Sequence, residues 1–117
     1  MEKNISSDAV ILCETNEFGD KQAIKVAHPH KEISVVIIQK EQRFYAYENV
    51  CPHFSVQLDY KEGQFSLYQN QVIMCAHHSA LFDIETGMCI DGPCKGKHLQ
   101  VISIEHINNQ ILLKSEN

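Results

Sequence analysis

Two short runs, Cys51-Pro52-His53 and Cys75-Ala76-His77-His78, constrain this chain more than any other feature of it. Each sets a cysteine and a histidine within one turn of backbone. Soft thiolates and borderline imidazoles are the donors of a transition-metal site, and two of each suit either tetrahedral zinc or a two-iron, two-sulfide cluster with one iron held by each residue type. A zinc finger usually groups its cysteines and groups its histidines. Here the order is interleaved, Cys51-x-His53 and then Cys75-x-x-His78, so the two cysteines can grip an inner iron while the two histidines reach an outer one.

This spacing resembles the signature of the Rieske [2Fe-2S] family. The flanks extend the likeness over nearly the whole chain. Tyr45 to His53 is similar to the family's lead-in strand and first cluster loop, and His78 to Asp83, Thr86-Gly87 and Gly92-Pro93 are similar to the strand, hairpin and proline loop after the second. The resemblance implies an all-β fold, an antiparallel β-sandwich base with an inserted cluster-binding subdomain at about residues 49–94 of a single domain spanning 1–117. It also implies one [2Fe-2S] cluster per chain, held by Cys51, His53, Cys75 and His78. Among small, stand-alone bacterial members, a longer inter-motif segment and a Gly-Pro-Cys ending recur, matching the 21 residues between His53 and Cys75 and the run Gly92-Pro93-Cys94. Ser79 stands where the family usually has glycine. His77 competes with His78 for the fourth ligand position, but the family places an aromatic four residues after the ligand, and Phe82 stands four after His78.

The rest of the chain reads as strand. Ala9–Cys13 and Gln22–Ala27 are expected strands, separated by a turn at Phe18-Gly19-Asp20. The β-branched run from Ile33 to Ile38 and the alternation from Phe44 to Tyr47 make a hairpin around Lys40-Glu41-Gln42. Phe65–Tyr68 with Val72–Met74, and Leu81–Ile84 with Met88–Ile90, form two further hairpins, the second turning at Gly87. Leu99–Ile107 and Gln110–Lys114 flank Asn108-Asn109, a pair suited to a type I′ turn. His28 and His30 bracket Pro29 and read as turn residues, and His98 and His106 as surface or core residues.

A length of 117 residues suits one domain. A formal charge of −5 argues against nucleic acid as a partner. No apolar run approaches the ~20 residues that span a bilayer, and no signal segment opens the sequence, so a cytoplasmic protein without a membrane partner is expected. Five cysteines in that setting are not a disulfide framework, and Cys13, Cys89 and Cys94 read as small buried hydrophobes.

A cluster whose positions are all filled by protein leaves no open site for substrate, so the resemblance implies a ferredoxin-like one-electron carrier rather than an enzyme with its own catalytic centre. Its partner would be a redox protein, an oxygenase or reductase component. Electrons would leave by the edges of His53 and His78, ringed by Phe54-Ser55 and Ser79-Ala80. Two other classes share parts of this pattern: an accessory subunit like that of nitrite reductase, whose relatives often lack the ligands retained here, and a zinc-stabilised binding domain. High-potential relatives carry an extra cysteine in each cluster loop and nearby hydroxyls. Val56, His77, Ala80 and Phe82 occupy those positions, which predicts a potential at the low end of the range of about −150 to +300 mV for such centres.

Overall fold

The computed structural model describes residues 10–52, 55–77 and 79–114. Its organising element is β3 (Ser34–Lys40), which pairs antiparallel with β2 (Ala23–Ala27) on one side and β4 (Arg43–Glu48) on the other. Side chains alternate between the faces of a strand, so an unbroken apolar run implies that both faces are covered. Val35, Val36, Ile37 and Ile38 are all fully buried. Val35 and Ile37 enter one core with Cys13, Phe18, Ile24, Ala46, Ile102 and Ile111, while Val36 and Ile38 enter a second with Tyr47, Cys51, Leu58, Cys75 and Phe82. The middle sheet is therefore shared between two packed units. Truncating Ile37 to alanine would cost about 2–5 kcal/mol.

The first core is closed by a sheet ordered β1 (Val10–Glu14), β10 (Gln110–Leu113), β9 (Ile104–Ile107). With the middle sheet it forms the base. Inserted between β4 and β9 is a four-stranded antiparallel sheet in sequential order, β5 (Ser66–Tyr68), β6 (Val72–Met74), β7 (Leu81–Asp83) and β8 (Cys89–Asp91), which closes the second core. Two clasps hold this insertion to the base. The buried Tyr47 hydroxyl donates to the Ile84 carbonyl at 2.6 Å, and the Lys40 ammonium meets the Glu85 carboxylate at 2.7 Å. Gly87 lies at φ +78, where a Cβ would come within 2.7 Å of the Tyr47 ring, so the β7–β8 turn needs both the freedom and the absent side chain of glycine.

The all-β expectation holds, with local differences. A 3-10 turn, Thr15–Phe18, precedes the expected turn at Gly19. The stretch 99–107 is not one strand. Its first half is shared out: Leu99 N–H donates to Gly87 O, while Glu48 N–H donates to Gln100 O and Ile102 N–H to Ala46 O. Only from Ile104 does it join β10. The alternation of side chains reports strand conformation, not partner, which is why this division is invisible in the sequence. The Asn108-Asn109 turn has positive φ at Asn108 alone, the pattern of a type II′ rather than a type I′ turn.

Candidate metal centre

Both cysteine loops begin where a strand ends. The first leaves β4 at Asn49, and the second leaves β6 at Cys75. In each, the cysteine N–H donates to the carbonyl five residues on, Cys51 to Val56 at 2.7 Å and Cys75 to Ala80 at 2.8 Å. In each, the residue four on returns an N–H to the cysteine carbonyl, Ser55 to Cys51 at 2.8 Å and Ser79 to Cys75 at 2.9 Å. Those serines have φ of 59° and 60°. The two loops are thus the same backbone device used twice. The left-handed geometry at Ser79 supplies the physical reason why glycine would suit that position.

The loops are tied together and to the base. Ala76 N–H donates to Leu58 O at 3.1 Å, joining the second loop to the segment that follows the first. Beneath that segment lies a buried polar hub. The fully buried Asn49 amide accepts from Leu58 N–H at 2.9 Å and donates to Asp59 Oδ1 at 3.0 Å, to Ser34 Oγ at 3.1 Å and to Gln57 Oε1 at 3.2 Å. Asp59 also accepts from Gly63 N–H and pairs with Lys25, whose ammonium reaches Glu62 as well. Burial alone would raise the Asp59 pKa. The donors from Asn49, Gly63 and Lys25 outweigh it and hold the carboxyl below its ordinary value.

Cys51 and Cys75 are both fully buried and belong to one apolar cluster with Leu58, Ala80, Phe82 and Cys94. A third loop brings Cys94 there. Gly92 sits at φ +100, where a Cβ would lie 2.7 Å from the Ala80 Cα, so only glycine lets this loop close onto the second cysteine loop. Lys95 and Lys97 N–H groups then fold back onto the Gly92 and Cys94 carbonyls, and Cys94 Sγ comes 3.5 Å from Cys51 Sγ.

Of the four expected ligands, the structure brings Cys51 and Cys75 into one core; His53 and His78, with Phe54, lie outside the described residues. Among the described residues, no three His, Cys, Asp or Glu side chains are grouped to hold a metal. His77 is exposed and lines a groove with Ser55, Val56, Gln57 and Tyr60 beside both loops. Counted along the sequence from the cysteine, His77 stands two residues on, as His53 does from Cys51, and His78 three residues on, as Phe54 does. His28 Nδ1 accepts from His30 N–H, closing the turn at Pro29, and the exposed His106 ring packs edge-on against Phe44. Cys13 is buried in the base, and burial, aided by Glu17, pushes its thiol up to about 11. No disulfide is present among the described residues. The hub at Asn49 and the contact of Cys94 with Cys51 were not foreseen from the sequence. An asparagine two residues before a ligand cysteine is the one local signal that could have suggested the hub.

The donor set fits an iron–sulfur group: two thiols carried into a dry core on matched loops, with a histidine in each loop. A family model described as the Rieske [2Fe-2S] domain matches residues 8–109. The ferredoxin component of an alkene monooxygenase system from Xanthobacter autotrophicus is 38% identical over 60 residues, 51% of this chain and 46% of that protein, so the chain spans about half the length of this curated relative. Among solved structures, a chain of the carbazole-bound oxygenase and ferredoxin complex of carbazole 1,9a-dioxygenase superposes with a TM-score of 0.77 at 14% identity, over 93% of this chain and 29% of that one. The terminal oxygenase of carbazole 1,9a-dioxygenase from Novosphingobium sp. KA1 gives 0.75 at 15%, over 90% and 29%. A chain from a complex of reduced oxygenase and oxidized ferredoxin of carbazole 1,9a-dioxygenase gives 0.72 at 20%, over 92% and 94%. These identities speak for the fold alone.

Proposed function

The chain belongs to the Rieske [2Fe-2S] domain family, and from that premise we propose that it is a one-electron carrier, a ferredoxin-like component serving an oxygenase. One observation carries this reading: the two cysteine loops repeat one backbone pattern, each delivering a fully buried thiol to the same core. Cys51 and Cys75 are the proposed ligands of the inner iron, and His53 and His78 those of the outer. When bound, the [2Fe-2S] cluster supplies a one-electron couple with no position open to a substrate. The protein's own contribution is to exclude water from the thiolates, fix the loops through the Asn49 hub and keep the site close to the surface at Ser55 and Ser79, both exposed.

Several features support this assignment. Likeness to the ferredoxin component of an alkene monooxygenase system favours an oxygenase over a reductase as partner. No helix among the described residues is long and apolar enough to cross a membrane. The setting proposed is cytoplasmic, where thiols stay reduced. The whole chain, 1–117, is read as one functional domain. The test is to purify the protein anaerobically, measure iron and acid-labile sulfide, and record the visible and electron paramagnetic resonance spectra before and after reduction. Two irons and two sulfides per chain, with a spectrum that bleaches on one-electron reduction, are expected. A colourless protein holding one zinc would overturn the reading.

A further inference from the structure

Cys94 has no part in the ligand set, yet its sulfur lies 3.5 Å from that of Cys51, with both residues at 1% exposure or less. A backbone arrangement only glycine can adopt brings it there, since any side chain at Gly92 would strike the Ala80 backbone. A cysteine bound to iron carries no proton, so in this contact the Cys94 S–H is the one possible donor. No water competes for the acceptor in a site this dry. We propose that Cys94 acts through Cys51, donating an S–H hydrogen bond to the ligand thiolate and stabilising the reduced state of the centre. The inference rests on the cluster reading above and deepens it.

The reasoning is electrostatic. Reduction would add one negative charge to the centre, and hydrogen bonds to its sulfurs are among the features that tune its potential. A donor aimed at one of those sulfurs gains strength when the charge arrives, so it favours the reduced form. If the bond gained on reduction as much as a hydrogen bond of ordinary net strength is worth, the reduced-to-oxidised ratio would rise about fivefold, which for one electron, at 59 mV per tenfold, is about 40 mV; for a weak S–H donor this is the upper value. This donor partly replaces the hydroxyls that Ala80 and Phe82 do not provide.

The test compares wild type, Cys94→Ala and Cys94→Ser. Cluster content is read first, from absorption and iron analysis. Midpoint potential is then measured by spectroelectrochemistry, and redox-difference infrared spectra are recorded in H2O and D2O. Cys94→Ala is expected to lower the potential measurably, by up to the amount above, and Cys94→Ser, with an O–H donor in place, to restore it to the wild-type value or higher. In the wild type one S–H band shifts on reduction, and that band is missing in Cys94→Ala. A wild type without cluster would sink the functional reading itself. With cluster present, a Cys94→Ala potential equal to wild type, or equal lowering in the Ala and Ser variants, overturns the role of Cys94 alone. Should neither variant hold the cluster, the wild-type infrared spectrum decides: no S–H band moving on reduction overturns the proposal.

Discussion

Replacing Asn49 with alanine tests whether the polar hub holds the first cysteine loop. The buried Leu58 N–H loses its acceptor, and a carboxylate that is 7% exposed loses one donor. An unsatisfied buried backbone donor costs about 1–3 kcal/mol, and a hydrogen bond to a charged group is worth about 1.5–3 kcal/mol. Together these place the loss at about 4 kcal/mol, a large share of the ~5–15 kcal/mol that holds a domain folded. The loss should be read from urea unfolding followed by far-ultraviolet circular dichroism, with the rate of cluster loss measured in parallel. Asn49→Asp provides a built-in control. It keeps the shape but sets a second carboxylate against Asp59, so that the pair retains a proton that both groups would release in the unfolded chain. Its deficit against wild type should therefore shrink as pH falls from about 7 to 5, while that of Asn49→Ala should not. A cost below about 1 kcal/mol in Asn49→Ala, or two variants with the same pH profile, would refute the account of the hub.

Three further outcomes are expected. His78→Ala should abolish the cluster absorption while His77→Ala leaves it largely intact, as visible spectra of the two proteins would show; a bleached His77 variant reverses the ligand assignment. The β3–β4 turn, Glu41-Gln42, has positive φ at both residues, so replacing the pair with Asn-Gly should raise stability by about 1 kcal/mol, seen as a higher melting temperature. Because the Asp59 pKa is depressed in the folded state, the stability it confers is complete above the ordinary carboxylate pKa and is lost as pH falls through the folded value; acid unfolding of Asp59→Asn should show a shallower loss over that window than wild type.

What was legible in the sequence is what has local period or local chemistry. The run Val35 to Ile38 announces a strand, and its unbroken apolar character announces burial on both faces, here by two different cores. The interleaved Cys/His order announces a two-loop site. The Glu41-Gln42 hairpin was legible from its flanks alone, since neither turn residue is a Gly or Asn that would signal positive φ. Contacts between distant segments leave no such trace. Asn49 reads as an ordinary loop residue until Ser34, Gln57 and Asp59 surround it. Likewise Cys94 reads as a small hydrophobe, a description its burial bears out, until the fold sets it against Cys51, 43 positions away.

The repeated loop explains why this chain tolerates strain at two serines. Left-handed backbone costs a non-glycine residue roughly 1–2 kcal/mol, and such strain persists only where surrounding structure over-determines it. At Ser55 and Ser79 it is over-determined by the same pair of hydrogen bonds, one into the cysteine carbonyl and one from the cysteine N–H to the next residue's carbonyl. With those bonds in place each cysteine is buried in the core while Ser55 and Ser79, four residues on, are exposed. A loop with relaxed φ at that position would run on and carry the cysteine out of register with its partner. The strain is therefore tied to the feature on which the proposed electron transfer depends, two cysteines buried in one place within a few residues of the surface.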